Sequence, residues 1–159
     1  MSLNKNNNLK TKTLLILLLS ISAVTFAQNK ETFDILSTFP KRVNTIVITT
    51  LDTMPQAFKN IQTHLVDYGF SIEIADEHSG IIRTAKGDID HYPFKSTLTV
   101  TVQQTDSTST IEIRGNASNN GFDFEALNGN SKTGVNTVLF AKMYEVGMMY
   151  INARSLSVK

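Results

Sequence analysis

Apolar residues follow three patterns along this chain: one nearly unbroken run near the start, several stretches of alternation with polar neighbours, and two stretches with returns every third or fourth position. Alternation sends side chains to opposite faces of a strand, whereas the wider spacing gathers them on one stripe of a helix. Val43 to Thr50 is short and rich in β-branched residues, which predicts a first strand. Met54, Ala57, Phe58, Ile61, Leu65 and Tyr68 then recur at helical spacing. Thr53-Met54-Pro55-Gln56 supplies a capping box for this helix, and Gly69 a left-handed stop. Pro55 is tolerated because the N–H groups of a first turn have no intrahelical acceptor.

Beyond Gly69 the period falls to two. Phe70, Ile72 and Ile74 alternate with Ser71, Glu73 and Ala75, Asp76 to Gly80 are turn residues, and Ile81 to Lys86 return as a strand. Gly87 to Lys95 reads as a longer polar connection. Leu98, Val100 and Val102, set against Thr97, Thr99, Thr101 and Gln103, predict a strand with one buried and one wet face. Thr105-Asp106-Ser107 turns it back into Ile111 and Ile113, set against Thr110, Glu112 and Arg114. Residues 115–134 gather Gly and Asn around Phe122, Phe124 and Leu127, a pattern that suits either a short last strand or a mobile loop. Val135, Val138, Leu139, Met143, Val146, Tyr150 and Ile151 fall on one side of a helix predicted from Val135 to about Arg154. Gly147 weakens its middle by about 1 kcal/mol relative to Ala. The expected class is α+β: an antiparallel sheet of five to six strands with two helices on one face, in the order β-α-β-β-β-β-(β)-α.

The run near the start, Leu14 to Val24, apolar but for Ser20 and Ser22, follows Lys5, Lys10 and Lys12 with no acidic residue among them, and precedes Thr25-Phe26-Ala27-Gln28. Charged start, apolar middle and small residues three and one before a cut after Ala27 are the marks of a secretory signal peptide. The stretch is also too short to span a bilayer. The chain is therefore read as signal peptide 1–27, exposed lead-in 28–42 docking through Phe33, Ile35, Leu36 and Phe39, and a single α+β domain over 43–159. The expected location is periplasmic or secreted, soluble, with no integral membrane span after cleavage. The 159 residues include no cysteine, which excludes a disulfide framework, thiol catalysis, zinc thiolates and a lipid-modified N-terminal cysteine. Cleavage removes three lysines and leaves the remainder slightly acidic. Its basic residues are scattered, Lys41-Arg42 being the one adjacent pair, so phosphate neutralisation and nucleic-acid binding are not expected.

Three pieces between Met54 and Gly87 resemble the small envelope domains typified by the BamC lipoprotein of the outer-membrane assembly machinery. They are Ala57-Phe58-Lys59-Asn60-Ile61 with Leu65, the helix exit Tyr68-Gly69-Phe70, and Ser79-Gly80-Ile81-Ile82-Arg83-Thr84. The resemblance implies a TATA-binding-protein-like fold and a non-catalytic adaptor or structural role. The chain departs from that family in lacking the lipid-anchoring cysteine, so membrane tethering is not implied.

Candidate chemistry is sparse. His64, His78 and His91, near Asp76, Glu77, Asp88 and Asp90, lack metal-ligand spacing. Asp88-Ile89-Asp90 begins like a calcium loop, but no Gly or terminal Glu follows in register. His78-Ser79-Gly80 lies in a short turn without a nucleophile elbow. Gly115 to Gly121 lacks a Lys-Ser/Thr ending, and Asn116-Ala117-Ser118 is a glycosylation triplet too short to carry weight. No catalytic residue, cofactor or metal is expected. The wet sheet face presents Ser71, Glu73, Arg83, Thr97, Thr99, Thr101, Glu112 and Arg114 without an aromatic to stack on RNA bases. Of these, Glu73, Arg83, Thr99, Thr101, Glu112 and Arg114 are the candidate residues for binding a protein partner, and an open sheet edge offers a second route. The expected function is an exported, non-catalytic binding or scaffold protein of the bacterial cell envelope. The alternative is a carrier of a small apolar ligand with a pocket between the C-terminal helix and the sheet. An enzyme would require His78, Asp76 and His91 to converge.

Overall fold

The sheet is built around one long hairpin. In the computed structural model, which describes residues 32, 34–89, 92–129 and 134–159, strand β5 (Tyr92–Thr105) turns through Asp106 and Ser107 into β6 (Thr108–Asn119). The two pair from Thr105↔Thr108 to Lys95↔Ser118. Asp106 takes the positive φ of 52° that so tight a turn demands. The alternation extends well past the residues that announce it in sequence.

The remaining strands assemble on either side of this hairpin. β1 (Thr45–Thr50) pairs with β6, and β3 (Ile81–Thr84) pairs with β5 and carries β2 (Ile72–Asp76). The path β2-β3-β5-β6-β1 ends on β8 (Ala153–Val158), while β4 (Gly87–Ile89) pairs with β5 and β7 (Phe122–Glu125) with β6. Every pairing is antiparallel. The α+β class and antiparallel sheet are as expected, but the sheet has eight strands rather than five or six.

Helix α1 (Met54–Asp67) begins where the sequence places it. The Thr53 amide donates to Gln56 Oε1 at 3.2 Å, and the Met54 amide to Gln104 Oε1 at 2.8 Å. It ends in a Schellman turn, with the Gly69 amide bonded to the Val66 carbonyl and the Phe70 amide to that of Leu65. Ala57, Phe58, Ile61 and Leu65 form its buried stripe. Helix α2 (Val135–Met148) buries Leu139, Phe140, Ala141, Met143, Tyr144 and Val146, nearly its whole circumference. Two glycines let it lie close. A Cβ on Gly147 would stand 3.0 Å from Ile46, and one on Gly115 of β6 2.8 Å from Met143 Sδ.

Both helices cover the same side. Successive register partners Ile82, Val100, Ile113 and Ile46 form a fully buried row across four strands, and Leu98, Val102, Ile111 and Ile48 fill out the layer. Removing side chains of this size from water contributes roughly 1.5–3 kcal/mol each, enough to order the sheet against the helices.

Four expectations are corrected. The C-terminal helix stops at Met148 instead of reaching Arg154, and the chain turns back to add β8 beside β1. Ile151 is consequently 89% exposed rather than part of a buried stripe. Ile74 does not share a buried face with Ile72, because a register shift between them sets Ile74 opposite Arg83 on the open side. Gly87 to Lys95 holds β4 and the start of β5 instead of a plain connection. The two readings left for residues 115–134 resolve for their described part: Asn120 (φ 48°) and Gly121 (φ 86°) form a tight turn into β7. Residues 130–133 lie outside the described residues.

The chain divides into two compact units, Met1–Ser37 and Thr38–Lys159. In the first, residues 34–36 form a helical turn and Ser37 Oγ donates to the Asp34 carbonyl at 2.6 Å. Residues 1–27, expected to be a signal peptide, and residues 28–31 and 33 of the lead-in lie outside the described residues. In the second, Phe39 meets Tyr144 edge-on with centroids 5.6 Å apart, and the Arg42 amide bonds the Asn128 carbonyl. No described helix is long and apolar enough to cross a membrane.

Two glycines give a direct check on this packing. Gly80 has a φ of 69° and a Cβ there would lie 2.1 Å from the Val102 carbonyl oxygen, whereas Gly69, at φ 100°, has open space. Gly69→Ala should lower unfolding free energy by about 1 kcal/mol from backbone strain alone. Gly80→Ala should cost at least about 3 kcal/mol, because strain and a backbone collision act together. Urea unfolding of both variants checks the difference.

Candidate functional site

With both helices on one side, the other side of the sheet is open, and its residues are set by strand register. Arg83, Thr99 and Arg114 form one cross-strand row, and Ile81, Thr101 and Glu112 the next. Neighbouring strands lie about 4.8 Å apart, so the two guanidinium stems flank Thr99 at roughly 10 Å from each other. Glu73 joins them from β2, its Oε2 accepting from Arg83 Nε at 3.1 Å. Glu112 pairs with Arg114 at 3.4 Å and also accepts from the Lys159 ammonium. The structure thus brings all six predicted residues, Glu73, Arg83, Thr99, Thr101, Glu112 and Arg114, onto one continuous surface. Each arginine there has a carboxylate partner and about half its side-chain area in water. Exposed pairs of this kind contribute little stability and are free to exchange partners.

Sequence patterning missed three features of this face. Ile74 and Ile81 add apolar spots, 40% and 39% exposed. A shallow groove of about 380 Å³ opens at one end, lined by Arg83, Lys86, Thr97, Thr99, Asn116 and Ser118. Asp123, Phe124 and Glu125 of β7 close it, and Phe124 packs edge-on against Phe94, centroids 5.6 Å apart. An aromatic ring therefore does border the face. The Asn120-Gly121 turn was the signal for it, since it folds β7 back beside β6.

Of the three histidines, His64 lies on α1 and His78 in the β2–β3 turn. Asp76 accepts from the amides of His78 and Ser79 at 3.0 and 3.3 Å and from Ser79 Oγ at 2.8 Å, so its carboxylate organises the β2–β3 turn. The Ser79 hydroxyl first, then its amide, holds that carboxyl below the usual range. His91 and Asp90 lie outside the described residues, and Asp88 is ion-paired with Lys95. Among the described residues no three His, Asp or Glu side chains are grouped to hold a metal.

A second polar cluster has no local sequence signature, because its members come from four elements. Asp52, between β1 and α1, accepts from Tyr150 Oη at 2.6 Å, Asn60 Nδ2 at 3.1 Å and Asn152 Nδ2 at 3.1 and 3.2 Å. Its carbonyl accepts from Ser109 Oγ at 2.7 Å. His64 stands edge-on to Tyr150 at 5.8 Å. The Tyr150 hydrogen bond, supported by the two amides, holds the Asp52 carboxyl below its ordinary value. Burial, and then the Asp52 carboxylate, pushes the Tyr150 phenol up to about 12. The phenol stays a donor and the carboxylate an acceptor across the neutral range, which suits a structural clasp better than proton transfer.

Comparison with known proteins finds no family model that matches this chain and no curated protein similar to it.

The clasp predicts a two-sided pH profile. Asp52 has a depressed folded pKa, so its contribution is present above the unfolded value near 4 and is lost as pH falls through the folded value. Tyr150 has a raised one, so its contribution is present below about 10 and is lost as pH rises toward about 12. Urea midpoints measured from pH 2 to 12 should be level between these limits. Asp52→Asn should shallow the acid limb, leaving the share due to Asp76, and Tyr150→Phe should shallow the loss above pH 10, leaving the share due to the buried Tyr144, whose phenol burial also pushes up. Asp52→Ala should cost about 2 kcal/mol at pH 7 by stranding the buried Tyr150 hydroxyl.

Proposed function

We propose that this chain is an exported, non-catalytic binding or scaffold protein of the bacterial cell envelope, and that the open sheet face receives a protein partner. The observation that carries the reading is the single continuous surface of Glu73, Arg83, Thr99, Thr101, Glu112 and Arg114, with exposed ion pairs and a groove bordered by Phe124. Paired charges and threonine hydroxyls give many hydrogen-bonding directions without an apolar patch large enough to aggregate. Export rests on the sequence of residues 1–27, and a periplasmic or secreted location follows from it. The resemblance to BamC-like envelope domains supports an adaptor role in the same compartment.

The alternative, a carrier of a small apolar ligand held between α2 and the sheet, is disfavoured by the close contacts there. The space beside Gly115 and Gly147 is already filled by Met143, Leu139 and Leu98 at the first and by Ile46 and Leu156 at the second.

Thr99→Trp tests the partner face, because tryptophan suits a strand but fills the centre of the surface. Crosslinked envelope fractions from cells making the parent chain should yield a discrete adduct, and the variant should lose at least about 90% of it while keeping the parent's thermal unfolding. Equal adduct from both proteins would remove this face from the binding reading.

A further inference from the structure

The turn between α2 and β8 turns its apolar side chains outward. Met148, Met149 and Ile151 are 58%, 37% and 89% exposed, and Leu51, after β1, is 65% exposed. Hydrogen bonds bring Leu51 beside them: Thr50 Oγ1 donates to the Asn152 carbonyl at 2.9 Å, and Asn152 Nδ2 reaches both oxygens of Asp52. Leu51 lies between the two residues that grip Asn152, and Ile151 immediately precedes it. Tyr150, only 3% exposed, anchors the turn from below through Asp52. The clasp therefore commits the polar groups inward and presents four large apolar side chains on a fixed support.

Beneath this tip is a polar collar. A hollow of about 200 Å³ is lined by Asn60, His64, Tyr150, Ile151 and Asn152, and the exposed Arg154 follows two residues on. Asp52 is the carboxylate at the collar, and both its oxygens are engaged. An apolar point above a polar ring in which the Asp52 carboxylate is balanced by Arg154 follows the polarity of a zwitterionic bilayer from acyl chains to headgroups. The tip is also far smaller than the 20–30 residues a side of a standard protein interface. It lies at the Ser109 end of β6, whose hydroxyl bonds the Asp52 carbonyl, whereas the groove lies at the Asn116–Ser118 end, about 25 Å along the strand.

We propose that Leu51, Met148, Met149 and Ile151 form a membrane-surface docking site that enters the headgroup–acyl boundary of a phospholipid bilayer, holding the chain peripherally with its groove end away from the lipid. This site is separate from the partner face, and either can be engaged without the other.

The absence of cysteine in all 159 residues makes the test specific to position. The full chain carrying Met148→Cys labelled with the polarity-sensitive fluorophore NBD is titrated with phosphatidylcholine vesicles, beside a chain labelled through Asp123→Cys at the groove end. The expected result is a blue shift and at least a threefold gain in emission at position 148, with no change at 123. Leu51→Ser with Ile151→Ser in the 148-labelled chain should weaken partitioning at least tenfold while leaving thermal unfolding in place. A leader that binds lipid alone gives no signal at 148, so it cannot imitate the expected result. No shift at 148, equal shifts at 148 and 123, or undiminished partitioning of the double variant would each overturn the proposal.

Discussion

Burial on one side of the sheet is the constraint on which the other features depend. The row Ile82, Val100, Ile113 and Ile46 runs across four strands, and a helix can cover it only by approaching closely. The glycines at 115 and 147 permit that approach for α2, and the stripe of Ala57, Phe58, Ile61 and Leu65 serves for α1. Since both helices are spent on that layer, the opposite row of Arg83, Thr99 and Arg114 faces water. A polar, water-facing side of the sheet is thus a by-product of how the core closes.

The Asp52 clasp has a different part in the same architecture. It ties the end of β1, the middle of α1 and the turn into β8 to one carboxylate, and through the Ser109 hydroxyl to the start of β6. Its geometry lets β8 begin beside the end of β1, which places Leu156 and Val158 in register with Ile48 and Ile46. Beside these bonds Leu51 and Ile151 stand exposed.

Local signals survived wherever a residue's role was fixed by near neighbours. The start of α1 was legible because Thr53, Pro55 and Gln56 act within one turn, and the β5–β6 hairpin because its threonines alternate with Leu98, Val100, Val102, Ile111 and Ile113. Four of the six face residues, Thr99, Thr101, Glu112 and Arg114, followed from that alternation. Roles set by distant partners were not legible. Ile74 moved to the open side through a register shift against Arg83, a matter of pairing rather than composition. β8 was missed, and its first two residues were taken into the helix expected to about Arg154, although Leu156 and Val158 alternate with Ser155 and Ser157, because the helical run of Met143 to Ile151 continues in sequence past the point where Tyr150 meets Asp52. The groove and the clasp each draw on several separate segments, so no single stretch carried their outline.

One-sided burial is tested most directly by solution NMR with a soluble gadolinium chelate, which relaxes methyl groups according to their access to water. Strong attenuation of the Thr99, Thr101, Ile74 and Ile81 methyls, with protection of those of Ile82, Val100, Ile113 and Ile46, is the result this architecture predicts. Comparable protection of both sets would contradict it, since the face assigned to encounters would then be covered within the free protein.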